Sequence, residues 1–155
     1  MSPLANAIWW LGFTASGVCI EAVAPGLDAL VPGVIILLQE RDYKAMLWLL
    51  PLFILLQEGM GSSPFGGSVL WYLAVVICYR LGRRFFPAGN FIFVFALSAV
   101  LGAALYGLQW LQAPVRGIVF DMNATMDACL LQAAYVPFMW KLCAMLRPKA
   151  GHAEE

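Results

Sequence analysis

Apolar residues fall along this chain in six runs, each closed by a short cluster of polar or helix-breaking residues. The first covers about residues 4–24 and stops at Ala24-Pro25-Gly26, a combination that ends a helix. The second, about 27–39, carries Pro32-Gly33 and gives way to the dense polar turn Gln39-Glu40-Arg41-Asp42-Tyr43-Lys44. The third, about 45–57, contains Pro51 and runs into a glycine-rich stretch, Glu58-Gly59-Met60-Gly61-Ser62-Ser63-Pro64-Phe65-Gly66-Gly67. The fourth, about 66–81, closes on Arg80, Arg83 and Arg84, and the fifth, about 90–111, closes at Gln112-Ala113-Pro114. The sixth, about 118–146, ends in Arg147-Pro148-Lys149 and a polar tail.

A helix needs about 20 apolar residues to cross the hydrocarbon of a bilayer. The second and third runs fall short of that, so they read as tilted, thin spans or as a hairpin that does not fully cross. Short, proline-interrupted helices are tolerated where neighbouring protein covers them. The pattern predicts an all-α integral membrane protein: a single transmembrane domain over residues 1–155, a bundle of about six helices with two of them short, and a polar tail over 147–155.

Composition sharpens this. Of the 155 residues, 63% are hydrophobic and 12% charged, whereas soluble domains are about 25% charged. Six spans and their loops use the whole chain, leaving no room for a soluble domain. The formal net charge is zero, and the basic face that nucleic-acid binding requires is missing. The start carries no Lys or Arg before its apolar core, so the first run reads as a retained helix rather than a signal peptide.

Charge placement orients the bundle. With six spans and the amino terminus inside, Arg41, Lys44, Arg80, Arg83, Arg84, Lys141, Arg147 and Lys149 share one side, and of the nine Lys and Arg only Arg116 lies on the other. The positive-inside rule then expects the rich side, with both termini, in the cytoplasm. Lys141 lies within the last run and reaches its surface by snorkelling. Trp9, Trp10, Trp48, Trp71, Trp110 and Trp140 lie near run ends, where interfacial aromatics belong. Gly12, Thr14, Ser16 and Gly17 in the first run, and Ser98, Gly102, Ala103, Ala104 and Gly107 in the fifth, are small enough for close helix contact.

Charges inside apolar runs are costly and mark candidate function. Glu21 and Glu58 stand at the outer ends of their helices. Each is expected to accept hydrogen bonds from loop or helix-start N–H groups, or else to bind a partner helix or a small ligand, or to couple to protons. The candidate partner- or ligand-binding set is Glu21, Glu58, Gly59, Gly61, Ser62, Pro64, Gly66 and Asp127. Asp121 reads as the cap of the last helix. Asp127 is a turn and a half deeper and is expected to face the bundle interior or water.

Enzyme templates find no footing. The glycine-rich loop lacks the Gly-Lys-[Ser/Thr] of a phosphate cradle. His152 is the single histidine and lies in the polar tail, which leaves no Ser-His-Asp set and no His-Glu-x-x-His. Cys19, Cys78, Cys129 and Cys143 lie in apolar runs without a Cys-x-x-Cys pair and read as small core residues. No metal or cofactor is expected, and the chain reads as a non-enzyme. Arg116 with Asp121 is the one outer-side pair a lipid-processing enzyme could use.

Val31-Pro32-Gly33, the turn after Leu37-Leu38-Gln39-Glu40-Arg41, the Glu58–Gly66 stretch and Tyr79-Arg80-Leu81-Gly82-Arg83-Arg84 share an order with one known family. Over residues 23–86 the chain resembles the rod-shape-determining membrane protein MreD, and beyond that the likeness is one of hydropathy. The family usually has Asp where this chain has Glu58. The resemblance implies a bacterial inner-membrane scaffold of the cell-wall elongation machinery. It would bind the transmembrane helix of an MreC-like single-span partner, near peptidoglycan synthases and an actin-like filament protein. The family fold is also similar to the substrate-binding subunits of energy-coupling-factor transporters. The alternative is therefore a solute-binding subunit, with Glu21, Glu58, Asn123 and Asp127 lining a polar cavity.

Overall fold

The computed structural model describes residues 3–61, 65–87 and 89–147. These form six α-helices, and among the described residues there is no strand: α1 Pro3–Val23, α2 Val31–Glu40, α3 Tyr43–Gly59, α4 Gly67–Gly82, α5 Phe91–Arg116 and α6 Met122–Leu146. Helices α1, α5 and α6 are each long and apolar enough to cross a membrane, so the chain is a multi-pass membrane protein. Ser62 and Pro64 of the candidate set, and the tail from 148 onward with Lys149 and His152, lie outside the described residues.

Local chemistry explains the boundaries. Asp42 caps α3 by accepting from the Ala45 N–H at 3.1 Å, and Asn90 caps α5 by accepting from Ile92 at 3.0 Å. Asp121 caps α6 by accepting from Asn123 and Ala124, because short polar side chains satisfy the orphan N–H groups of a helix start. The fifth helix does not stop at Pro114, as the apolar run suggests, but continues to Arg116. A proline so near the end forfeits little of the hydrogen-bond ladder. Gly117 closes the helix in the left-handed conformation, its N–H turned back to Ala113 and Pro114. The sixth helix starts at Met122 rather than 118, where its Asp121 cap dictates.

The largest departure is in the second run. Leu27 to Leu30 are not helical, and α2 is only Val31–Glu40. Ten residues at about 1.5 Å each reach roughly 15 Å, half of a hydrocarbon core. Every residue from Val31 to Leu37 is buried, so α2 faces protein on all sides over its first seven residues and emerges only at Glu40. It is the central post of the bundle, packed against α3, α4 and α6. The core forms around it from Phe13, Phe53, Tyr72, Val75, Phe93, Val94, Leu101 and Val136.

The helices alternate in direction. Arg147 after α6 touches Asn6 of α1 and Glu40 of α2, and Arg41, Tyr43, Tyr79 and Arg83 line one cleft beside them. At the opposite end Gly26, Gln57, Gly67, Gln112 and Arg116 line another. The first end therefore holds Arg41, Arg80, Arg83, Lys141 and Arg147, and Arg116 belongs to the second.

Candidate functional site

The irregular segment 24–30 enters the bundle at Leu27, and from there to Leu30 its buried backbone groups must find partners or cost free energy. Glu21, in the last turn of α1, is buried, and its Oε1 accepts the Ala29 N–H at 2.7 Å and the Gln57 amide at 2.6 Å. Gln132, in the middle of α6 and fully buried, pairs its side-chain amide with the backbone of Asp28 at both ends. The Asp28 N–H donates to Gln132 Oε1 at 2.8 Å, and Gln132 Nε2 donates to the Asp28 carbonyl at 3.0 Å. The Asp28 carboxylate accepts from the Leu30 N–H at 2.9 Å, from Trp71 Nε1 at 2.8 Å and from the Tyr72 hydroxyl at 3.2 Å. Three helices thus bond the segment directly, α1 through Glu21, α4 through Trp71 and Tyr72, and α6 through Gln132, and α3 joins them through the Gln57 bond to Glu21.

Glu58 lies apart from this cluster. Its Oε1 accepts the N–H of Gly66 at 2.8 Å. Gly66 holds φ 82° at the start of α4, the left-handed conformation that favours glycine. The carboxylate therefore tethers the end of α3 to the start of α4 and complements the positive end of the α4 dipole. Gly59 ends α3, and Gly61, at φ 72°, turns the chain beyond it with open space around it. Asp127 sits on the exposed side of α6, whereas Thr125, Cys129 and Gln132 face inward. The candidate residues are therefore not one site. Glu21 belongs to the buried cluster, Glu58 and Gly66 to a helix tether, and Asp127 to the outer surface.

Beside the cluster, at the end opposite the basic residues, is a cleft of about 80 Å³ lined by Gly26, Asp28, Gln57, Ser68, Trp71 and Arg116 among others. At about 30 Å³ per water in the liquid, that is room for two or three waters. Small-molecule sites usually measure about 300–1,000 Å³. Asn123 and Asp127 do not line it, and neither does Glu58.

The basic end holds a second polar centre that sequence reasoning passed over. Arg147, only 8% exposed, pairs its Nη2 with Glu40 at 2.7 Å and with Asn6 at 3.0 Å. Its guanidinium lies 4.8 Å from the rings of both Trp9 and Trp10, a cation–π arrangement. Trp140 Nε1 donates to Gln39 at 2.8 Å. Of the six tryptophans, Trp10, Trp71 and Trp140 are buried, while Trp48 and Trp110 stand outward. The expected interfacial belt is therefore partly a set of core anchors. The Trp71 and Trp140 indoles combine a large apolar body with an N–H that reaches a partner, Asp28 and Gln39 respectively.

Comparison of the chain with protein-family models, with curated proteins and with solved structures finds no match.

The residues that hold the buried cluster were only partly legible. Glu21 stands out as a charge in an apolar run. Asp28, Gln57 and Gln132 gave the weaker signal of polar residues within or beside apolar runs, and Gln132 is the clearest of them.

Proposed function

We propose that this chain is a non-enzymatic scaffold of the bacterial inner membrane, similar to MreD. It docks the transmembrane helix of an MreC-like single-span partner and thereby serves the cell-wall elongation machinery, with its basic end in the cytoplasm. The resemblance over residues 23–86 supplies the family.

The observation that carries the docking role is the two-sided character of α5. Gly102 faces α6, where a Cβ would lie 3.2 Å from the Cys129 carbonyl and 3.3 Å from the Ala133 methyl, so this glycine closes the internal helix pair. Ala96, Ala99, Ala103 and Gly107 lie on the opposite, exposed side, and nothing lies within 4 Å of Gly107's missing Cβ. Rows of small residues let a second helix approach closely, which in lipid replaces the hydrophobic drive available in water. The same face continues through Trp110, Leu111 and Pro114 into an apolar cleft of about 320 Å³. The carboxylates favour the same reading. Glu21, Asp28 and Glu58 are engaged by the chain's own donors, which supports a structural role for them over the solute-binding alternative.

The test is a pull-down from solubilised native membranes with a tag at the carboxyl end, comparing the natural chain with Ala103→Leu. An exposed leucine leaves the core untouched but holds a partner helix away. Overpacking costs about 1–3 kcal/mol, so capture should fall about tenfold while the purified protein keeps its melting temperature. Recovery of an MreC-like protein or of cell-wall synthases that Ala103→Leu loses supports the scaffold. Recovery of ATPase subunits or of a tightly held small molecule overturns it.

A further inference from the structure

The basic end contains a cavity of about 460 Å³ between α2, the start of α5 and the end of α6. Its polar lining is Gln39, Glu40, Lys141 and Arg147, and Ile36, Phe91, Trp140, Cys143 and Met145 supply an apolar wall. Two cations and one carboxylate leave it one positive charge in excess. Glu40 is already committed to Arg147 at 2.7 Å.

Two buried donors on this lining have no acceptor among the described residues. Arg147 spends its Nη2 on Glu40 and Asn6, while its Nη1 is unpartnered. Gln39 spends its Oε1 on Trp140, while its Nε2 is unpartnered. Buried donors without acceptors are costly and rare in folded proteins, and both belong to residues that line the same cavity. What is missing is a group with several acceptor oxygens and negative charge. Lys141, exposed and 5.6 Å from the Phe91 ring centre, stands at the same site with its ammonium.

From this geometry we propose that the cavity binds the phosphate headgroup of an anionic phospholipid. The headgroup oxygens accept from the exposed Lys141 ammonium and, once the Gln39 and Arg147 side chains turn toward them, from Gln39 Nε2 and Arg147 Nη1. An acyl chain lies along Ile36, Phe91, Trp140 and Met145. A phosphate offers acceptors to a guanidinium in matching geometry. Basic pockets between transmembrane helices are known sites for anionic headgroups. A free phosphate would satisfy the donors but not use the apolar wall, and the cavity lies at the basic end of the bundle. The inference does not depend on the partner-docking role of α5.

Native mass spectrometry of the purified full chain, loaded with either phosphatidylglycerol or phosphatidylcholine of identical acyl chains, tests this. Phosphatidylglycerol is expected to stay bound at collision energies that strip phosphatidylcholine. Lys141→Gln is expected to weaken it about fivefold, the effect of one lysine near an anionic surface, and Lys141→Arg to restore it. Lys141 is exposed, so its loss should leave the fold intact; Gln39→Leu, which removes an unpartnered donor, gives a second variant with the same expected loss. Phosphatidylglycerol should also raise the melting temperature of the natural chain, and by less that of Lys141→Gln. Equal retention of the two lipids overturns the proposal, as does undiminished binding by both Lys141→Gln and Gln39→Leu. So does displacement of phosphatidylglycerol by millimolar inorganic phosphate, which would make the ligand a free anion.

Discussion

At the scale of single residues, the buried cluster holds irregular backbone by pairing its N–H and C=O groups with side chains from the surrounding helices. Gln132 shows it most sharply. Its amide has the donor and acceptor that the Asp28 backbone needs, with both bonds at or below 3.0 Å. Gln132→Leu would fill the same space and strand an N–H and a carbonyl. Each stranded group costs about 1–3 kcal/mol. Hydrogen bonds between membrane helices average only about 0.6 kcal/mol, because partners are also found in the unfolded reference. The Asp28 groups sit on a non-helical backbone with no such substitute, so the larger figure should win. Gln132→Leu is expected to lose about 2 kcal/mol or more in a reversible detergent unfolding experiment. A loss no larger than the membrane average would mean that segment 24–30 is held by Glu21, Trp71 and Tyr72 alone.

At the scale of elements, α1 and α2 interlock through two glycines. The Phe13 ring of α1 lies against Gly33 of α2, where a Cβ would come within 2.5 Å of the ring. Leu30, just before α2, lies against Gly17 of α1, where a Cβ would come within 2.7 Å of its side chain. Each element places a side chain in the space the other's glycine leaves open. Alanine is a better helix former than glycine by about 1 kcal/mol, so by propensity alone Gly33→Ala should stabilise. Phe13 cannot retreat freely, because its ring stacks on Trp9 at 5.6 Å and meets Trp10 and Phe53. Overpacking costs about 1–3 kcal/mol, which outweighs the gain. Gly33→Ala is expected to lower the melting temperature, and Phe13→Leu added to it to recover part of the loss. If Gly33→Ala melts at or above the natural chain, the glycine is not there for the ring.

At the scale of the whole molecule, alternating helix directions gather the basic side chains at one end. Of the eight Lys and Arg that six spans place together, Arg41, Arg80, Arg83, Lys141 and Arg147 line the clefts of that end. Arg116 is at the other. Cysteine accessibility in intact cells checks what this implies for the membrane, in a background with the four natural cysteines replaced. An impermeant thiol reagent added outside is expected to label Arg116→Cys and to reach Lys44→Cys only after the cells are opened. Both positions are exposed. Labelling of both from one side would mean that the short helices α2 and α3 do not carry the chain across.

Periodicity and composition by themselves determined the helical class, the membrane setting and the approximate place of all six helices. Those follow from how many apolar residues stand in a row and where proline, glycine and charge interrupt them. Charge counting also separated Arg116 from the other cations, since each loop's charge is a local property. Tertiary structure alone decided that α2 is a buried half-length post preceded by irregular backbone. A short apolar run reads alike whether it faces lipid or protein. It decided too that Glu21 and Glu58 serve different places, and that Asp28, 104 residues away in sequence from Gln132, depends on it. Pairings across that distance leave no trace in local pattern, because they depend on which helix faces which. The cavity around Arg147, Gln39 and Lys141 arises the same way, from three segments that only packing brings together.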